Sequence, residues 1–348
     1  MIFDPSCPVP LTPELIQLAH GGGGRATWRL LHELVMPALS LAGPSCDAAE
    51  LAVPAMPSGA RFAFTTDASI VRPLFFPGGD IGRLAVFGTV NDLAAAGARP
   101  IALSLSLLLE EGLPLDTLRR VLASVEAAAR TAGVRVVTGD TKVVDRGKGD
   151  GIYTSVAGIG VIAPGVAVGP HHIRPGDVVI VSGDVGRHGV AILSVREGLG
   201  FEASIESDCA PVTGLLDALL DAGTELHCLR DPTRGGLSAA LHELAIDAGV
   251  EIALREADIP VDGRVAAACE LLGLDPLAMA CEGRLVVIVP PDHAERALAA
   301  LRSRPEAAQA AAIGHVASGT PGRVVATTVL GTRRLLDFAA SEQLPRIC

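Results

Sequence analysis

Lysine is nearly missing from this chain: Lys142 and Lys148 are its only two, against 26 arginines. No cluster of basic residues stands out and the net charge is −11, which argues against nucleic acid or an anionic membrane as the main partner. Aromatic residues make up only 3%, so the core must be built from aliphatic side chains. No stretch reaches the ~18 apolar residues of a membrane span, and Met1-Ile2-Phe3-Asp4-Pro5 has no basic region ahead of an apolar run. These absences lead to the expectation of a soluble, cytoplasmic protein. The seven cysteines form no C-x-x-C pair and no zinc-like spacing, and no G-x-x-x-x-G-K-[ST] phosphate loop occurs. An acidic chain without that loop would need a metal to hold a nucleotide's phosphates.

What is present suits two α+β domains: 348 residues, 49% hydrophobic, with 39 Gly and 24 Pro marking turns. After a Pro-rich lead-in to about residue 19, His20-Gly21-Gly22-Gly23-Gly24-Arg25 reads either as a cover for phosphate or as a hinge, ahead of a helix over 27–39. Strands are expected at 61–66 (ending in Asp67), 101–107, 134–137 (ending in Asp140) and 152–162. Helices are expected at 81–96, N-capped from the Pro77-Gly78-Gly79-Asp80 turn, and at 114–132, stopped by Gly133. The Pro/Gly-rich stretch 163–176 is the expected boundary. Beyond it, strands at 177–182, 252–254, 285–289, 313–317 and 324–330 alternate with helices opening at 189, 211, 237, 262 and 291. The division is therefore 1–42 (lead-in, Gly-rich loop and helix), 43–165 (first domain), 166–337 (second domain) and 338–348 (mobile tail).

The tail ends on a thiol. From Asp337 about eleven residues run to Pro345-Arg346-Ile347-Cys348, enough to span roughly 35 Å if extended. Pro345 disfavours helix at Leu344, Arg346 favours a thiolate at Cys348 and the terminal carboxylate opposes it. Three aspartates, Asp67, Asp92 and Asp140, fall at element ends or on a helix face, where separate carboxylates suit Mg²⁺ that is also holding nucleotide phosphates. Gly235-Gly236, with Arg234 beside them and a helix behind, offer free amides and a positive helix end to an anion.

Thr65-Thr66-Asp67, the run from Pro73 to Gly82 (PLFFPGGDIG), Gly88-Thr89-Val90-Asn91-Asp92-Leu93, Thr138-Gly139-Asp140-Thr141-Lys142-Val143-Val144 and the terminal Pro345-Arg346-Ile347-Cys348 together resemble the HypE family of hydrogenase maturation factors. The likeness runs from His20 to Cys348. Its aspartate pattern is shared with the wider superfamily of AIR synthetase, selenophosphate synthetase and thiamine-monophosphate kinase.

That resemblance implies a two-domain AIR synthetase-like (PurM-like) fold and an ATP-dependent carbamoyl dehydratase. Cys348 would receive a carbamoyl group from the HypF carbamoyltransferase, and ATP would phosphorylate the carbamoyl oxygen. Loss of phosphate would leave a thiocyanate, and the cyano group would pass to iron on a HypC–HypD scaffold for a [NiFe] hydrogenase. The family pairs its N-terminal domains as a homodimer. On this reading Asp67, Asp92 and Asp140 hold Mg²⁺, while Asn91, Thr141, Asp231, Arg234, Gly235 and Gly236 hold the nucleotide. A lysine that is desolvated or crowded by cations can act as a base, so Lys142 is the expected base for the carbamoyl nitrogen, with Glu282 as the relay the resemblance suggests. Two alternatives remain open: a small-molecule synthetase of the same superfamily, in which Cys348 would be irrelevant, and a non-enzymatic ATP-binding scaffold that only presents its tail.

Overall fold

Alternation and capping fix the first half of the chain. The computed structural model describes residues 14–22, 24–41, 48–51, 56–198, 204–338 and 347–348, so the lead-in to residue 13, Gly23, Cys7, Cys46 and tail residues 339–346 lie outside the described residues. The first helix, α1 (Arg25–Leu30), passes through a π turn at Leu31–Val35 into α2 (Met36–Ala38). Strand β1 (Arg61–Ser69) is followed by a two-stranded ribbon, β2 (Phe75–Phe76) and β3 (Gly79–Asp80), and then by α3 (Ile81–Ala95). The expected cap is present: an Asp80 carboxylate oxygen accepts from the Gly82 and Arg83 amides at 2.8 and 3.1 Å. Its other oxygen accepts from the Ser124 hydroxyl at 2.7 Å, tying the start of α3 to α4 (Leu115–Thr131).

β4 (Ala98–Glu110), β5 (Arg135–Val144) and β6 (Ile152–Ile162) join β1 in a sheet ordered β1-β6-β4-β5, with only the β4–β5 pair parallel. Along α4 Leu115, Leu118, Leu122, Val125 and Ala129 fall at helical spacing and are buried, each leucine contributing about 1.5–3 kcal/mol by removal from water. Helices cover one face of this sheet. The other stays open: Phe62 and Phe64 on β1 are 51% and 74% exposed, and alternate residues of β6 are half-buried.

The second half builds a seven-stranded sheet. Its elements are β7 (Val178–Val181), α5 (Arg187–Arg196), α6 (Thr213–Asp221), β8 (Cys228–Arg230), α7 (Gly236–Ala248), β9 (Glu251–Arg255), α8 (Gly263–Leu272), β10 (Val286–Val289), α9 (Ala294–Arg302), β11 (Ala311–Ala317), β12 (Arg323–Thr327) and β13 (Arg333–Leu335). The order is β13-β12-β9-β11-β7-β10-β8. All four residues of β10 are buried, as a continuous Val/Ile run predicts for a central strand. Three details differ from expectation. β1 and β5 run on through Asp67 and Asp140 because both keep pairing with neighbours, β12 stops at Thr327, and β13 was not foreseen because Arg333-Arg334-Leu335 has no apolar alternation.

The two sheets meet along α3. Asn91 is buried there, its amide donating to the Ala210 and Glu282 carbonyls at 3.0 and 3.3 Å and its oxygen accepting from the Val212 amide at 2.8 Å. On the surface Arg99 and Asp217 pair across the same junction at 2.6 Å.

Candidate functional site

Carboxylates from both halves face one another at this junction. Asp67 comes from β1, Asp92 from α3, Asp231 from the turn after β8 and Glu282 from the turn before β10. Burial raises the pKa of all four, and for Asp92, Asp231 and Glu282 repulsion from neighbouring carboxylates adds to it. Burial, with Asp231 and Asp67 nearby and in spite of a 2.9 Å hydrogen bond from Thr65, pushes Asp92 up to about 7. Burial likewise raises Asp67 and Asp231. Glu282 is pushed well above the usual carboxylate range by burial and by Asp208, Asp67 and Asp231. Such a cluster is stabilised by a cation. Among the described residues no three donors converge as a ready-made cage, but Mg²⁺ held through nucleotide phosphates takes only one or two carboxylates. Of the residues expected to hold Mg²⁺, Asp67 and Asp92 are in this cluster, and beside them stands Asp231, which was expected to hold the nucleotide; one or two such carboxylates could serve a cation bound through phosphates.

α3 must lie close to β1 to make this cluster. A Cβ at Gly88 would stand 2.4 Å from an Asp67 oxygen, so only glycine leaves that carboxylate its place.

Asp140 stands apart from the cluster. It is exposed, and its carboxylate is held low by Lys142, whose Nζ lies 2.7 and 2.6 Å from its two oxygens. Lys142 is itself exposed and paired with a carboxylate, so it has neither the burial nor the neighbouring cation on which a base role was argued. Thr141 beside it is buried. A Cβ at Gly21 would lie 2.6 Å from the Val143 amide, so the Gly-rich loop rests on β5 next to Lys142.

Two further expectations need correcting. Asn91 was assigned to the nucleotide, yet its donor and acceptor are both committed to the 210–212 and 282 backbone, which makes it a tie between the domains. Gly235-Gly236 were expected to offer free amides, but the Gly236 amide donates to the Thr233 carbonyl at 2.8 Å. Gly236 is glycine for another reason: its φ is +61° and a Cβ would meet the Met279 carbonyl at 2.4 Å. The start of α7 remains a positive helix end, with exposed Arg234 beside it.

The chain terminus reaches this junction. The Cys348 thiol is hydrogen-bonded to the Glu282 carboxylate, and Ile347 is buried in the core against Val71. Glu282 Oε1 is buried without a hydrogen-bond partner among the described residues. Behind Glu282, buried Asp208 accepts from the Glu282 and Gly283 amides at 3.2 and 3.3 Å, and Arg284 pairs with Asp184 at 2.5 Å. Sequence reasoning passed over Asp208, Asp184 and Arg284. Only Arg284 carried a signal, as a charge directly ahead of a fully apolar strand.

Matches to known proteins agree with this layout. Residues 46–162 match the family model for the N-terminal domain of AIR synthase related proteins, and 174–326 match that for the C-terminal domain. The carbamoyl dehydratase HypE of Azotobacter vinelandii is 50% identical over 335 residues, 96% of this chain and 97% of that protein. A crystal structure of a hydrogenase maturation protein HypE in complex with ATP superposes with a TM-score of 0.89 at 46% identity, covering 95% of this chain and 99% of that one. A HypE–HypF complex gives a TM-score of 0.77 at 44% identity, covering 79% and 90%.

Proposed function

This chain belongs to the HypE family of carbamoyl dehydratases in hydrogenase maturation, and from that membership we propose that it dehydrates an S-carbamoyl group carried on its own Cys348. The observation that carries the reading is the hydrogen bond between the terminal thiol and Glu282 at the carboxylate-lined junction of the domains. Neither alternative accounts for it. A synthetase acting on a diffusible substrate would have no use for a thiol in that position, and a scaffold would have none for the carboxylate cluster.

In the proposed reaction a HypF-type enzyme places the carbamoyl group on the Cys348 sulfur. An amide oxygen is a poor leaving group, so ATP transfers its γ-phosphoryl to the carbamoyl oxygen. Departure of phosphate then leaves S–C≡N, and both nitrogen protons must go. Glu282 is suited to take them one at a time, from its ionised form and passing the first on before the second leaves, because its unpartnered Oε1 can accept an N–H and the burial that raises its carboxyl strengthens it as a base. Lys142 is assigned to the phosphates together with Thr141, Arg234 and the start of α7, and it would leave Asp140 when nucleotide arrives. Asp67 and Asp92, with Asp231 beside them, would hold Mg²⁺, which would supply charge neutralisation of the phosphates. The reading places the reaction in the cytoplasm, with the cyano group delivered to iron on a HypC–HypD complex. Among the described residues no helix is long and apolar enough to cross a membrane. We assign nucleotide binding and pairing to residues 43–165, a second domain to 166–337 and the carrier tail to 338–348. The open sheet face around Phe62 and Phe64 supports pairing as a homodimer.

Intact mass spectrometry of the chain incubated with HypF, carbamoyl phosphate and ATP tests the reading. The wild type should gain one carbamoyl group and then lose one water, and Cys348→Ala should do neither while keeping its fold. Modification of Cys348→Ala to the wild-type extent would refute it.

A further inference from the structure

The terminal dipeptide is gripped from both domains. On the N-terminal side Val71 bridges Ile347 as an antiparallel pair, and the Ile70 amide donates to a main-chain carboxylate oxygen of Cys348 at 3.0 Å. On the opposite side stands His188, in the first turn of α5, with no exposed surface. Its Nε2 lies 2.5 Å from the Ile347 carbonyl oxygen, and its Nδ1 lies 2.8 Å from the Ser207 hydroxyl.

The hydrogen-bond network sets the tautomer. Ser207 Oγ accepts from the Cys209 amide at 3.1 Å, which leaves its own proton to donate to Nδ1. A neutral imidazole that accepts at Nδ1 carries its proton on Nε2, and that proton points at the tail. Burial lowers the pKa of His188 and so favours the neutral form. The Phe76 ring meets the imidazole edge-on, centroids 5.4 Å apart, and the Ser207 amide donates to the Pro77 carbonyl at 2.8 Å, so both partners are fixed to the 76–77 turn.

We propose that His188, oriented by Ser207, is a positioning residue: it latches the Ile347 carbonyl so that the Cys348 sulfur stays beside Glu282 while the group it carries is dehydrated. The latch does not touch the reacting atoms. It acts on the equilibrium between docked and released tail, because release leaves the Nε2–H buried with no partner. Losing that donor should shift the equilibrium toward release on the order of tenfold or more. This inference rests on the reading of Cys348 as the carrier.

The test compares two reactions that need opposite positions of the tail. Carbamoylation by a second enzyme, and labelling by a bulky maleimide located at Cys348 by peptide mapping, need the thiol released; single-turnover conversion of carbamoyl to thiocyanate with saturating ATP needs it docked. In His188→Leu the first two should run faster and the third about tenfold slower, at unchanged ATP affinity, whereas general damage would slow carbamoylation as well. His188→Gln, which keeps a side-chain N–H donor, should restore dehydration toward wild type. Should His188→Leu fail to fold, Ser207→Ala carries the test, since its imidazole is free to move the proton to Nδ1 and should show the same opposite changes to a smaller degree. Unchanged rates in a folded His188→Leu, or His188→Gln as slow as His188→Leu, would overturn the latch. If wild-type Cys348 is never carbamoylated, it is the carrier reading that fails.

Discussion

At the scale of single residues the account turns on which carboxylates share a field. Asp92 is pushed up to about 7, well above an unfolded aspartate, so the native state holds its proton more tightly. A raised carboxyl favours the folded state below its unfolded value and loses that advantage as pH climbs from about 4 to about 7. Ionisation should therefore lower the stability of the nucleotide-free protein across that window and strengthen Mg-ATP binding as pH passes about 7. Asp92→Asn should flatten both curves and weaken Mg-ATP binding by about tenfold or more. Calorimetric titration from pH 6 to 8 measures the second, and an equally steep pH dependence in Asp92→Asn would count against the site. For Lys142 the exposed pairing with Asp140 predicts that Lys142→Arg still converts carbamoyl to thiocyanate. Accumulation of carbamoylated Cys348 in that variant would return the base role to Lys142. Composition drew attention to this lysine but not to its surroundings, because the pairing with Asp140 depends on strand geometry. Asp67 and Asp92 were legible as candidates. The competing bonds of Asn91 were not, since their partners lie 119 to 191 positions away.

At the scale of elements, the fit of α3 against β1 decides whether the site exists. Gly88→Ala would gain helix propensity of about 1 kcal/mol inside α3, yet its Cβ would collide with an Asp67 oxygen. The expected outcome is a thermal midpoint within a few degrees of wild type and Mg-ATP affinity reduced at least severalfold. Wild-type affinity in Gly88→Ala would show that Asp67 can move without consequence. The elements themselves were largely readable. Period-two and helical patterns located β1, β4, β6, α3 and α4, and Asp80 announced its cap. Pattern misplaced strand ends, since β1 and β5 continue through Asp67 and Asp140 on the strength of pairing with β6 and β4, a term no local window contains.

At the scale of the whole molecule, two α+β domains are held together by Asn91, by Arg99 with Asp217, and by the chain's own end. The uncovered face of the first sheet marks where a second copy would pair. Phe64→Arg should convert the proposed dimer to a monomer in sedimentation while leaving the helix-covered core intact. A monomeric wild type, or a dimeric Phe64→Arg, would contradict pairing through that face. The AIR synthetase-like plan was legible because its motifs sit at fixed places in the chain. The docking of the terminus was not, since nothing in Pro345-Arg346-Ile347-Cys348 says where the tail comes to rest.

The central claim is that Cys348 both carries the substrate and occupies the catalytic junction. A single turnover with ¹³C-labelled carbamoyl phosphate, HypF and ATP, read by peptide mapping and by the carbon signal of the labelled group, tests it most directly. The account predicts the label on Cys348, first as carbamoyl and, once ATP is added, as thiocyanate. Label on any other of the seven cysteines, or a carbamoyl signal that persists at saturating ATP, would contradict it.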